Sequence, residues 1–232
     1  HHLFTLRPGM ANFEEQAGCF RVAVADRWNV ADLPRREAEV PPSGGGTFRN
    51  QPDDDPTLPS TRRRLAVLAA RPFEPVSTPV MTTVDGIDAE VATARAAQVD
   101  WAARPAVERR DVLRRVADEL VARHDDLLLA MVHEAAKTVA EADPEISEAV
   151  DFAHWYAERA AELERIDGAE FTPLGVVAVI PPWNFPVAIP AGGTLAALAS
   201  GNAVVFKPAP ETPRCAEVVA EACWAAGVPT EV

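Results

Sequence analysis

Two short loops carry the residue types best suited to chemistry. The first, Pro181-Pro182-Trp183-Asn184-Phe185-Pro186, directly follows the apolar run from Val176 to Ile180. Its prolines fix φ and stiffen the backbone, so the one polar side chain, Asn184, is held with little freedom. An amide N–H aimed at a carbonyl oxygen stabilises the oxyanion that develops when that carbonyl is attacked. A turn-capping role for Asn184 is the alternative that composition leaves open. The second loop, Lys207-Pro208-Ala209-Pro210-Glu211-Thr212-Pro213, sets a lysine at the end of the run Ala203-Val204-Val205-Phe206. An ammonium there reaches an anionic or polyhydroxyl ligand such as a nucleotide phosphate or ribose, or stands solvated at a strand end. Neither loop contains Gly-x-Gly-x-x-Gly, so a dinucleotide fold with the ordinary fingerprint is not supported.

The runs before these loops are short, continuous and rich in β-branched residues, the pattern of strands buried on both faces. An alanine-rich helix from about Ile189 to Ala199 and the turn Ser200-Gly201-Asn202 separate them, and Thr212 to Ala226 reads as a helix closed by Gly227 and Pro229. Strand, helix, strand, helix implies an α/β fold with a parallel sheet, whose ligands bind beyond the carboxyl ends of the strands. Upstream the period is helical. Asp85 to Trp101 forms one helix, and a second, opened by Pro105, has an apolar stripe of Val112, Leu113, Val116, Leu120 and Val121. A third runs from Asp125 to about Val139, and a fourth from about Pro144, as a first-turn residue, to Leu163. Glu145 and Glu148 on that fourth helix read as surface carboxylates. Cys215 and Cys223 read as small buried hydrophobes.

The net charge of −13 repels phosphate backbones, and the best basic cluster, Arg62-Arg63-Arg64, has no interleaved aromatics, which argues against a nucleic-acid partner. The three cysteines, Cys19, Cys215 and Cys223, are too few for a disulfide framework and lack metal-ligand spacing, so no metal is expected and a reducing cytoplasm fits. No apolar run is long enough to span a bilayer. Composition shifts near Val80: nine prolines lie between Pro34 and Pro79, with Ser43-Gly44-Gly45-Gly46 and Asp53-Asp54-Asp55, which is the chemistry of an extended linker rather than a core. Residues 1–79 are therefore expected to form an arm, with a short helix between Phe13 and Val30, and residues 80–232 the folded part.

The stretch from Thr172 through Gly175, Ile180, Pro181, Pro182, Trp183 and Asn184 to Pro186, with Gly201-Asn202 and Lys207-Pro208, resembles the aldehyde dehydrogenase superfamily. The likeness covers roughly Val80 to Val232 and implies the start of that family's NAD(P)-binding domain, a Rossmann-like variant without the glycine fingerprint. The segment Phe48 to Ser60 is similar to the junction, in bifunctional bacterial proline utilisation proteins, between proline dehydrogenase and L-glutamate γ-semialdehyde dehydrogenase. Glu148-Ala149-Val150-Asp151-Phe152 and Pro190-Ala191-Gly192-Gly193 also resemble that group.

The resemblance implies oxidation of glutamate semialdehyde to glutamate with NAD, or NADP, as acceptor. It makes Asn184 the oxyanion donor, and Ile180, Pro181, Pro182 and Trp183 the lining of the nicotinamide side. Lys207, with Ala209, Pro210 and Glu211, would face the adenosine ribose, and Phe185 the aliphatic part of the substrate. Glu145 or Glu148 would be the candidates for a contact to the substrate amino group. Many relatives carry a ribose-gripping glutamate where Pro210 stands here, with Glu211 beside it. The family's nucleophilic cysteine and general-base glutamate are expected beyond Val232, and an FAD-binding proline dehydrogenase module before His1, so residues 1–232 are expected to be an inactive fragment of a homo-oligomer. A general aldehyde dehydrogenase fragment, or a non-catalytic remnant or interaction module, are the rival readings.

Overall fold

The computed structural model describes residues 7–28 and 48–232; the Ser43–Gly46 run and the end of the Phe13–Val30 segment lie outside them. Helix α1 (Ala11–Ala25) overlaps the Phe13–Val30 segment and begins two residues before it. Residues 48–55 are extended, as the prolines predict, and lie along helix α6 (Val139–Leu163), before a turn at 56–58. The contacts follow one another down that helix. The Phe48 ring meets Trp155 edge to face, centroids 5.4 Å apart. Asn50 Nδ2 and the Gln51 N–H donate to Asp151 at 2.5 and 2.7 Å, and the Asp54 N–H donates to Asp143 at 2.7 Å.

The arm then departs from the linker expectation. Pro59–Ala69 is a helix, α2, with Pro59 in its first turn, where a missing N–H costs nothing. It buries Leu68 and carries Leu65 against the main core. Arg64 on α2 pairs with Asp54 of the arm and with Asp125 of α5 (His124–Glu134).

Helices α3 (Val84–Ala103), α4 (Ala106–Ala122), α5 and α6 form a layer whose most extensive packing is α4 on α6. The core runs through Trp101, Leu113, Val116, Leu120, Leu128, Met131, Ile146 and Val150 into Leu195 and Leu198 of α7 (Ala188–Ala199). Trp101 keeps its indole N–H satisfied on the Leu198 carbonyl at 3.0 Å.

Two boundaries differ from the sequence reading. Helix α5 stops at Glu134 because Ala136 turns to φ 53°, a left-handed conformation that costs an alanine about 1 kcal/mol. Helix α6 begins at Val139, not at Pro144: Thr138 and Glu141 form a reciprocal capping box. Pro144 sits one turn further in, and the carbonyl it leaves without a donor belongs to Ala140, an exposed residue.

The order of elements in the α/β part follows expectation, but the strands are not buried on both faces: Ala178 is exposed and Val176, Val177, Val204, Val205 and Phe206 are only half-buried, because a sheet of only two strands is left incompletely covered. Strands β1 (Val176–Val179) and β2 (Ala203–Phe206) pair in parallel with Val176 opposite Ala203 and Val179 opposite Phe206, and α7 connects them. Gly201 turns the chain out of α7 at φ 82°, and a Cβ there would meet Pro173 Cγ at 3.1 Å. Asn202 is buried, accepts from the Gly175 N–H at 3.0 Å and donates to the Ala197 carbonyl at 3.1 Å, which ties the start of β1 to the turn before β2. Helix α8 (Pro213–Ala225) packs on α4 and α5. Among the described residues no helix is long and apolar enough to cross a membrane.

Candidate functional site

The parallel register brings both loops to one end of the sheet. Val179 pairs with Phe206, and the Lys207 N–H donates to the Val179 carbonyl at 3.0 Å, so Ile180 and Lys207 leave the sheet side by side. Strand spacing sets them about 5 Å apart at the backbone.

In the first loop Pro181 and Pro186 are buried, while Ile180, Pro182, Trp183, Asn184 and Phe185 are exposed. Two buried prolines fix the ends of an exposed turn. The N-terminus of α7 is capped without Asn184: α7 has no side-chain cap of its own, and the Val187 and Ala188 N–H groups both donate to Glu145 Oε2 at 3.1 Å. The Asn184 side chain is exposed on the loop.

Glu145 is a correction to the sequence reading. It is not a surface carboxylate but 2% exposed, and it ion-pairs with Lys137, whose Nζ also lies 4.3 Å from the Phe185 ring centroid. Glu148 is exposed, as expected for a helix-surface carboxylate. A signal for Glu145 was present: it falls on the stripe Ala142, Ile146, Ala149, Ala153, all buried, and a carboxylate on an apolar stripe must have a partner.

The second loop is built the same way. Lys207, Pro210 and Glu211 are exposed and Ala209 is buried, with the Thr212 N–H donating to the Ala209 carbonyl at 3.1 Å. The first turn of α8 is held by Glu134, whose two oxygens accept from the Arg214 and Cys215 N–H groups at 2.9 and 3.0 Å. Both helix N-termini that follow the sheet are therefore occupied by carboxylates of the helical layer. A dinucleotide pyrophosphate finds no free helix end there, which agrees with the missing glycine fingerprint. The Lys207 side chain is exposed at the end of β2.

The two buried cysteines, Cys215 and Cys223, are poorly placed to act as nucleophiles. Burial pushes the Cys223 thiol up to about 12. Burial, and then the neighbouring Glu134 carboxylate, raise Cys215 further still. Away from the loops, Asp54, His124 and Asp143 bring one ligand-type atom each within 4.8 Å of one another. Arg64 already gives Asp54 its counter-charge, so the cluster is a clasp between the arm, α2, α5 and α6. Burial works to lower the His124 pKa, but the hydrogen bond and charge of Asp143 and the charge of Asp54 outweigh it and hold the pKa above its ordinary value.

Residues 59–232 match the family model described as Aldehyde dehydrogenase family. The chain belongs to the aldehyde dehydrogenase family. Among curated aldehyde dehydrogenases, the Mycobacterium tuberculosis protein named putative succinate-semialdehyde dehydrogenase (NADP+) 2 is 36% identical over 181 residues, covering 73% of this chain and 34% of that protein. Among solved structures, proline utilization A from Corynebacterium freiburgense superposes with a TM-score of 0.74 at 43% identity, over 96% of this chain and 22% of that one. The 1-pyrroline-5-carboxylate dehydrogenase from Thermus with bound NAD gives a TM-score of 0.73 at 26% identity, over 81% of this chain and 44% of that one. The chain thus spans about a third of the length of the curated relatives it matches. The aldehyde dehydrogenase fold expected from the Thr172–Pro186 stretch is the fold observed.

Proposed function

We propose that this chain is the cofactor-side part of an NAD-dependent L-glutamate γ-semialdehyde dehydrogenase, working in proline breakdown. Residues 1–79 are the arm that follows an FAD-binding proline dehydrogenase module, and residues 80–232 are the first part of the NAD-binding domain. The observation that carries the reading is the exposed Asn184, which takes no part in the α7 cap that Glu145 provides, beside the strand end that bears Lys207. The 43% identity to a proline utilization A over nearly the whole chain supports the proline assignment.

The chemistry needs a thiolate to attack the aldehyde carbon, a donor for the resulting oxyanion, a hydride acceptor, and a base to activate water against the thioester. Asn184 Nδ2 donates to the oxyanion. Ile180, Pro181, Pro182 and Trp183 line the nicotinamide side, and Phe185 meets the aliphatic part of the substrate. The Lys207 ammonium would hold the adenosine ribose, with Ala209, Pro210 and Glu211 following it in the same loop. NAD, when bound, accepts the hydride that leaves the aldehyde carbon. The preference for NAD over NADP is taken from the proline-catabolic group that the chain resembles. Cys215 and Cys223 are buried and the exposed Cys19 lies on α1, away from the two loops, so the thiolate and the base are taken from elsewhere in the whole enzyme, and residues 1–232 alone are expected not to turn over. The whole enzyme is read as a cytoplasmic homo-oligomer.

A second reading keeps the mechanism and changes the substrate. The curated relative named for succinate semialdehyde and NADP+ favours a short dicarboxylic semialdehyde and the other cofactor. Steady-state assays of the full-length enzyme, with glutamate semialdehyde (in equilibrium with pyrroline-5-carboxylate) and with succinate semialdehyde, each with NAD and NADP, separate the two. The proposal expects the highest kcat/KM for the first aldehyde with NAD; preference for succinate semialdehyde overturns it.

A further inference from the structure

We infer that Glu134, Lys137 and Glu145 are positioning residues for the reaction proposed above, a bracket that holds the Asn184 loop and the Lys207 loop at a fixed separation. The inference rests on that reading for its kinetic consequences and on geometry alone for its mechanical ones.

A helix that needs only a cap finds a Ser, Thr, Asp or Asn at its own N-cap position. Neither α7 nor α8 is capped that way: Val187 at the N-cap of α7 has no polar side chain, and Thr212 at that of α8 gives no side-chain cap. Each helix instead takes its acceptor from far away in sequence. Glu145 is 42 residues from Val187, and Glu134 is 80 residues from Arg214. Long-range carboxylates used where local ones suffice tie the loops to the helical layer.

A carboxylate buried as deeply as Glu145 persists only with its hydrogen bonds and counter-charge in place. Its counter-charge, Lys137, is itself committed to the loop, because Nζ lies over the Phe185 ring. Asn184 is therefore flanked on its C-terminal side by a side chain and a backbone turn held by one ion pair. Glu134 and Lys137 sit on either side of the left-handed Ala136, and the Lys137 N–H returns to the Met131 carbonyl at 3.4 Å. One tight turn thus presents one group to the oxyanion loop and another to the cofactor loop. Relative movement of the loops requires breaking charged hydrogen bonds, and a displacement of about 1 Å between reacting groups is enough to cost about a hundredfold in rate.

The bracket predicts a split that general destabilisation does not. In the full-length enzyme Glu145→Gln is expected to lower kcat about tenfold with KM for NAD unchanged, and Glu134→Gln to raise KM for NAD about tenfold with kcat nearly unchanged, the scale of one lost charge-assisted hydrogen bond. Lys137→Met should reproduce the Glu145→Gln defect and add little to it in the double variant. Hydrogen exchange followed by mass spectrometry reads the geometry independently of turnover. Peptides over 183–190 should exchange faster in Glu145→Gln and those over 210–217 faster in Glu134→Gln, while 48–58 stays unchanged in both. Unchanged exchange at the named peptide, or equal loss of kcat and NAD affinity in both variants, overturns the inference. A wild-type enzyme that oxidises neither semialdehyde, yet shows the expected exchange pattern, overturns the proposed reaction and leaves the bracket standing.

Discussion

Removing the Glu217 carboxylate should release the segment before α3 from α8. Glu217 is 8% exposed and accepts from the N–H and hydroxyl of both Ser77 and Thr78, and Arg214 Nη1 donates to it at 2.7 Å. In Glu217→Ala two backbone N–H groups lose a charged acceptor. Ser77 and Thr78 are exposed on their outer sides, so water recovers part of the loss and about 2 kcal/mol of local stability remains at stake. That corresponds to about 30-fold faster amide exchange in peptides spanning 74–82, measured in the full-length protein.

Acid should do the same to the wild type. Burial works to raise the Glu217 pKa, but hydrogen bonds from Thr78, Arg214 and Ser77 overcome it and hold the group down to about 2, against an ordinary 4.5. A lowered folded pKa means stabilisation present above 4.5 and lost as pH falls from there towards 2. Cleavage by pepsin within 72–83 should therefore rise over that window in the wild type and be flat in Glu217→Ala. Exchange changed by less than about threefold would refute the reasoning, because water would then be replacing the carboxylate completely.

Three further outcomes follow from the geometry. Alkylation with iodoacetamide at pH 8 should label the exposed Cys19 and leave Cys215 and Cys223 unmodified in the folded protein, with mass spectrometry as the readout. His124, facing Asp143, Asp54, Asp125 and Arg64, has a raised folded pKa, so its contribution is full below 6.5 and lost as pH rises through the folded value. Melting temperature should fall across that window in the wild type and less steeply in His124→Gln. Gly201→Ala should cost about 1–2 kcal/mol in chemical unfolding, from the left-handed φ and from the contact its Cβ makes with Pro173.

The strands, the order of elements and the position of the two loops were legible because β-branched runs, caps and prolines act locally. Val176 to Val179 and Ala203 to Phe206 needed no tertiary information. Helix α2 was hidden because Pro59 and the arginines read as linker chemistry, while the Leu65 and Leu68 spacing that buries it is only one turn long. The start of α6 was written in Thr138 and Glu141, and Pro144 distracted from it. The Glu134, Lys137 and Glu145 bracket is a long-range arrangement: each residue is ordinary for a helix end or face, and only the fold brings α7 and α8 onto them. The apolar stripe around Glu145 was the one local sign of it.

The central claim is that Asn184 is held free of structural duty so that its amide can meet an oxyanion. Single-turnover formation of reduced nicotinamide by full-length Asn184→Ala, with glutamate semialdehyde and saturating NAD, tests it most directly. The account predicts a rate lowered by about a hundredfold, the scale of one lost oxyanion donor, with unchanged melting temperature and NAD affinity. A rate within about threefold of the wild type contradicts it and leaves Asn184 a surface residue of the loop.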